Sequence, residues 1–324
     1  MKRYLSFASY TKHHYGGRLQ KVVVDAGFSC PNRDGTLSTG GCTYCLNKAF
    51  HPAYSHPGIG LHQQIDEGIL FHRKRYARAT RFLAYFQAYS NTHAPLERLK
   101  QLYDEALSHP NIEGLVIATR PDCVDAAKLD YLAQLAHNHI IFIEYGVESC
   151  YNHTLQRIRR GHTFEQAREA ILQSAKRNLP TCAHFIFGLP GESKEEMMHT
   201  VNVINTLPLT SVKFHQLQII KGTDMEQEYR QHPNHFVPFS LPEYIDFFID
   251  YLERLNPAIA IDRFAGEVPP RFVSHTPWGL VRYADMVKML EQRLEERDTQ
   301  QGRIWITPSP PNNPLVSPLK SRGY

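Results

Sequence analysis

Six short apolar runs, each followed by a polar cluster, constrain this chain more than any other feature. They are Lys21–Val24, Phe82–Ala88, Gly114–Ala118, Ile140–Glu144, Thr181–Phe187 and Ser211–Ile219. Between them apolar residues recur at helical spacing, as in Leu61, Ile65 and Ile69, or Leu129, Leu132 and Leu135. Strands alternating with helices imply β/α units and a parallel sheet. The clusters Tyr89–Thr92, Thr119–Asp122, Tyr145–Ser149 and Gly188–Gly191 come just after strands, where a (β/α) barrel builds its active site. A closed barrel needs about eight units and six are counted, so the expected fold is α/β, an incomplete (β/α)6 TIM-like barrel with N- and C-terminal extensions. A doubly wound sheet is the alternative.

The first of these runs leads straight into the loop Asp25–Phe50, which holds Cys30, Cys42 and Cys45 in the pattern C-x11-C-x2-C. Cys42 and Cys45 flank a tight turn, so their sulfurs converge. The insert is rich in turn formers, among them Pro31, Asn32, Asp34, Gly35, Gly40 and Gly41, and folds Cys30 back to the same point. A disulfide is disfavoured in a chain that reads as cytoplasmic, because thiols there stay reduced. A zinc site needs four ligands, and His51 or His56 would complete a Cys3His set. An iron–sulfur cube takes four cysteines when it only carries electrons; with three, one iron stays open to a non-protein ligand. The loop alone leaves zinc and cluster open.

Bulk properties exclude little. The 324 residues fit one large domain or two ordinary ones, and a formal charge of +4 names no partner. No apolar run reaches the roughly 18 residues of a membrane span. The start, MKRYLSFASYTKHHYGG, lacks an apolar segment of the secretory kind, so a cytoplasmic location is expected. Leu241–Leu255 and Trp278–Arg297 read as helices, and Ala258–Phe264 as one further strand. The tail from Thr307 is rich in proline and serine and is expected to be disordered.

A cysteine loop after the first strand of a β/α barrel, with Tyr44 just before its last cysteine, resembles the radical S-adenosylmethionine (SAM) superfamily. The long first spacing, TRPD at Thr119–Asp122, GVES at Gly146–Ser149, RRGHT at Arg159–Thr163 and FIFGLPGES at Phe185–Ser193 resemble the branch containing the Elongator catalytic subunit and oxygen-independent coproporphyrinogen dehydrogenase. With DAGFSCPNRDG and YFQAYSNT added, the whole chain most resembles a bacterial radical SAM family implicated in modifying the wobble uridine of tRNA. The resemblance implies a [4Fe–4S] cluster on Cys30, Cys42 and Cys45 whose open iron chelates SAM. It implies SAM contacts at Tyr44, Glu148, Arg160, His184 and Gly188. Residues 1–223 become the core, 224–306 a helical extension packed on it and 307–324 the tail. Reductive cleavage of SAM would yield a 5′-deoxyadenosyl radical that takes hydrogen from a substrate. A flavodoxin or ferredoxin would supply the electron, and tRNA is the substrate partner the resemblance adds.

Two departures stand out. Ala118 replaces a glutamate of the related enzymes before TRPD, and His184 replaces an aspartate of coproporphyrinogen dehydrogenase. Cys123, Cys150 and Cys182 read as small buried residues. The basic run from His72 to Arg81 reads first as a solvated helix face and second as a phosphate contact. Competing functions are a radical SAM enzyme acting on a small molecule such as a porphyrinogen, and a zinc-stabilised binding protein without catalysis.

Overall fold

A computed structural model describes residues 2–49, 52–75, 79–275, 278, 279 and 281–306, apart from the side chains of residues 48 and 75. Seven strands pair in sequence order, all parallel: β1 (Leu19–Val24), β2 (Arg81–Phe86), β3 (Ile112–Thr119), β4 (Ile140–Glu148), β5 (Thr181–Phe187), β6 (Ser211–Gln216) and β7 (Ala260–Arg263). Among the described residues β7 does not pair with β1, so the sheet is a curled, incomplete barrel. This is the expected incomplete barrel, and the further strand expected at Ala258–Phe264 joins its sheet as β7. β7 lies inside 224–306, expected as a helical extension, because Ala260 and Ile261 fill the core beside β6. The tail 307–324 lies outside the described residues.

Alternation along the strands separates two cores. Val22, Val24, Ala84, Phe86, Ile117, Ile143, Phe185 and Phe214 point outward into one cluster with the helices. Leu19, Leu83, Tyr85, Val116, Ala118 and Phe142 point inward. Helices α2 (Leu61–Arg75), α3 (Leu96–Leu107), α4 (Ala126–Leu135), α6 (Phe164–Lys176) and α7 (Lys194–Ile204) cover the outside, with the short α5 (Asn152–Arg157) after β4. Beyond β6 come α8 (Asp224–Gln231), α9 (Leu241–Arg254) and α10 (Tyr283–Glu296). Capping boxes at Thr163/Gln166, Ser193/Glu196 and Ser240/Glu243 start α6, α7 and α9, each satisfying two orphan backbone donors. The helix expected from Trp278 begins only at Tyr283. Gly279 sits at φ 65, and the Trp278 indole donates to the Phe239 carbonyl at 2.9 Å.

An N-terminal helix, α1 (Phe7–Tyr15), was not expected although its punctuation is present. The Ser6 hydroxyl accepts from Ser9 N, and Gly16 ends the helix at φ 72. The segment before it pairs with β7, Ile261 N donating to Leu5 O at 2.8 Å. Phe7 and Tyr15 meet Phe142 edge-on at 5.4 and 5.7 Å, closing the N-terminal end of the barrel. The open end is therefore the C-terminal one. Among the described residues no helix is long and apolar enough to cross a membrane.

Candidate active site

Parallel strands deliver all their C-terminal ends to one face, and the cysteine loop after β1 folds over it. Arg33 N and Asp34 N donate to Cys30 O at 2.7 and 3.1 Å, and Gly41 N donates to Asn32 O at 2.7 Å, which draws the insert's two ends together. Cys45 N donates to Cys42 O at 3.1 Å, forming the expected turn. The Asn32 amide donates to the carbonyls of Arg159 and Arg160 at 2.8 and 3.0 Å and approaches Cys42 Sγ at 3.5 Å, stapling the loop to the segment after α5. Gly161, at φ 77, makes room for it: a Cβ there would stand 2.5 Å from Asn32 Oδ1.

All six cysteines are free thiols. Burial pushes the Cys45 thiol up to about 11, and Cys42 adds to the effect while Arg33 opposes it. Burial alone would weaken the Arg33 charge, but Cys45, Tyr89 and Cys30 hold it up, so this guanidinium sits between loop cysteines. Cations and N–H donors lie beside these sulfurs, as they do around metal-bound thiolates. Among the described residues the three-donor group with all ligand atoms within 4.8 Å is Glu144, Cys182 and His184, and the loop thiols do not form another. Three sulfurs at about 2.3 Å from one zinc ion would crowd closer than that. His56 is exposed and accepts from Gly58 N, and His51 lies outside the described residues. The thiol set thus suits a group larger than one ion.

Beside the loop stand Tyr44, Glu148 and Arg160. Arg160 is 8% exposed; its Nη2 donates to Gly146 O at 2.7 Å and lies 3.3 Å from Glu148 Oε1, and its Nη1 approaches Cys42 Sγ at 3.7 Å. Gly146 is required, since a Cβ would stand 2.5 Å from Arg160 Nη2. Burial works against the Arg160 charge, but Tyr44, Glu148 and Cys42 keep it firmly charged. Burial, with Glu148 next, raises the Tyr44 phenol well above its usual range. Glu148 occupies a left-handed conformation, φ 72, at the end of β4. Arg160 Nε is buried without a partner, as is Nη1 of the buried Arg120, whose other nitrogens hold Asp122 at 2.9 and 2.7 Å. Two orphaned guanidinium donors beside the thiols suit an anionic ligand group.

Below lies an ion network in the barrel interior. Glu144 on β4, 1% exposed, accepts from Lys21 of β1 at 2.6 Å, Lys213 of β6 at 2.7 Å, Tyr85 of β2 at 2.7 Å and His184 of β5 at 3.0 Å. Asp262 of β7 takes Lys21 at 2.5 Å, joining the two edge strands across the barrel's gap. Burial opposes the Glu144 charge, yet Lys21 and Lys213 hold the carboxyl well below its usual range. Burial, with Lys213 next, keeps His184 neutral, and burial with His184 and Arg263 does the same for His215. Two ammonium groups already neutralise Glu144, so this cluster is no vacancy for a metal cation.

The structure thus sets Arg160 against both Glu148 and Cys42, with Tyr44 and Cys45 in the turn that follows Cys42 and Cys30 on the same loop. His184 sits one layer lower, on Glu144. Gly188, at φ 89, borders a small apolar recess of about 60 Å³ with Leu217, Ile219 and Val237. Sequence reading missed Asn32, Arg33 and the interior network, although Lys21, Glu144, Lys213 and Asp262 each interrupt an apolar run at an inward position. The basic end of α2 lies at the closed end of the barrel, opposite the cysteine loop. Arg73 rests 5.7 Å from the Phe82 ring and Arg81 is bound to Glu113; residues 76–78 lie outside the described residues.

Comparison with known proteins agrees with this geometry. Residues 35–204 match the Radical SAM superfamily and residues 209–296 the Radical_SAM C-terminal domain. The first match takes in Cys42 and Cys45 and begins after Cys30. The chain is 34% identical over 303 residues to protein MJ0486 of Methanocaldococcus jannaschii, covering 92% of this chain and 91% of that one. It is 27% identical over 173 residues to the tRNA uridine(34) acetyltransferase of Methanocaldococcus infernus, covering 52% of this chain and 31% of that one. Among solved structures, Methanocaldococcus infernus Elp3 superposes with a TM-score of 0.67 at 17% identity, over 87% of this chain and 64% of that one, which shows a shared fold.

Proposed function

The chain belongs to the radical SAM superfamily of enzymes, and from that premise we propose that it carries a [4Fe–4S] cluster, cleaves SAM reductively and abstracts hydrogen from a wobble uridine of tRNA. The observation that carries the reading is the buried Arg160–Glu148 pair set against Cys42 at the open end of the barrel, on the loop that also carries Cys30 and Cys45. Bound there, cluster and SAM together supply one-electron bond cleavage and hydrogen abstraction, fed by an external reductant such as flavodoxin or ferredoxin.

The chain's own residues bind and orient. Cys30, Cys42 and Cys45 are the cluster ligands. The N–H groups of Asn32 and Arg160 aimed at Cys42 Sγ would orient that ligand and tune the bound group. Arg160 has a free Nε for the carboxylate of SAM, and Glu148 faces it as the acceptor for the ribose hydroxyls or the ammonium. Tyr44, kept neutral by burial, stands beside this pair. Gly188, without a side chain, would let the adenine come close to the backbone beside the recess it borders. The interior network fixes the floor below.

The tRNA assignment is supported by the relative that acts on tRNA uridine(34), which shares about half of this chain. Its test is a comparison of tRNA nucleosides from cells with and without the protein. A wobble-position uridine derivative that disappears and returns with the intact gene, but not with a Cys42→Ala gene, is expected. Identical nucleoside profiles would remove tRNA as the substrate and leave the radical SAM reading standing.

A further inference from the structure

The segment between β2 and α3 is held more firmly than a surface loop requires. Ser90, Asn91 and Thr92 are each 0% exposed. Asn91 donates through its side chain to the carbonyls of Phe86 and Ala118 at 3.0 and 2.7 Å, and Tyr103 OH donates to Asn91 O at 2.6 Å. The hydroxyls of Thr92 and Thr119 meet at 2.6 Å, and Ser90 N donates to Ser29 O at 3.2 Å. With 90–92 pinned, the chain leaves β2 by placing Tyr89 at φ 61, a conformation costly for any residue with a Cβ.

That strain does not serve the core, because Tyr89 is 40% exposed. Its place after β2 puts it at the open end of the barrel, and the bond from Ser90 N to Ser29 O holds it against the cysteine loop that carries Arg33. Arg33 is held in turn by the Cys45 carbonyl, to which its Nη2 donates at 2.6 Å. Arg159, whose side chain is 60% exposed and paired with Asp224 at 2.6 Å, and the exposed Lys221 stand on loops of the same face. A rigidly presented aromatic ring, a neighbouring guanidinium and cations on the same rim are what single-stranded RNA recognition uses: bases stack on aromatic and Arg planes while phosphates take the outer cations.

We propose that Tyr89 is a stacking platform for the uracil that a single-stranded RNA loop delivers to the site. The platform rests on the tRNA reading above and adds the contact that would hold the base.

The test uses the full chain with its cluster, purified without oxygen, and two fluorescent probes. One is an anticodon stem-loop RNA with uridine at the wobble position; the other is the same RNA abasic there. Stacking on one aromatic ring should favour the base-bearing probe by about ten-fold or more. Tyr89→Phe should keep that preference. Tyr89→Gly should abolish it while leaving the melting temperature unchanged or higher, since glycine relaxes the left-handed backbone. If Tyr89→Gly keeps the preference, or if the parent binds both probes equally, the platform is overturned and the RNA reading survives. If the parent binds neither probe, the RNA reading falls and the platform with it.

Discussion

Replacing Glu144 by glutamine probes the barrel interior most sharply. The amide keeps the shape and removes one of the two carboxylates that both lysines share. Lys21 and Lys213, whose side chains are 15% and 7% exposed, would then divide Asp262 between them at 2.5 and 3.5 Å. Removing one member of a buried ion set costs about 3–5 kcal/mol, because the remaining charge is stranded. Unfolding entropy of about 2.1 cal/mol/K per residue over 324 residues means that each kcal/mol moves Tm by about 1.5 °C. Glu144→Gln should therefore melt about 4–7 °C lower at neutral pH by calorimetry. The pH dependence gives a second reading. In the parent, Glu144 is held below its unfolded value, so its contribution is present above about pH 4.5 and fades as pH falls toward the folded value. In the variant a lysine is left under-compensated and its folded pKa drops below about 10.4, so the unfolded chain binds more protons and the deficit narrows as pH rises toward that value. A variant melting within about 1 °C of the parent across this range would show that the network contributes nothing to stability.

Other outcomes follow from the site. Cys30→Ala, Cys42→Ala and Cys45→Ala should each lose iron and near-visible absorption, whereas Cys150→Ala and Cys182→Ala should keep both; iron loss from a folded Cys182→Ala would refute the three-ligand assignment. Arg160→Lys removes the planar fork and the orphaned Nε, so SAM affinity measured by equilibrium dialysis should fall about ten-fold, and an unchanged affinity would remove Arg160 from the SAM site. Arg73→Gln with Lys74→Gln should leave the salt dependence of RNA binding unaltered, because these residues lie at the closed end; a slope flatter by about 0.7–0.9 per charge would place RNA there instead.

Much of this architecture was legible because parallel strands are buried on both faces and read as continuous apolar runs. Lys21–Val24 through Ser211–Ile219 gave the barrel on that ground, and the tight C-x2-C turn gave the convergence of Cys42 and Cys45. The short β7 lies within the strand read at Ala258–Phe264, but α1 escaped because it is a weakly apolar helix whose amphipathic stripe is short. The ion network escaped for a different reason. Each of its members looks like a lone charge in its own strand, and only the curl of the sheet turns Lys21, Glu144, Lys213 and Asp262 toward one another. The start of α10 was misplaced because Trp278, which fits helical periodicity, is anchored instead on Phe239 and Tyr244.

The central claim is that three cysteines on the β1 loop hold a cluster that cleaves SAM. Its most direct measurement is iron, sulfide and zinc content of the chain purified without oxygen, followed by 5′-deoxyadenosine release on adding SAM and a reductant. Brown protein with about four irons per chain and reductant-dependent release, both lost in Cys42→Ala, is the expected result. Colourless protein with stoichiometric zinc and no release of 5′-deoxyadenosine would contradict it.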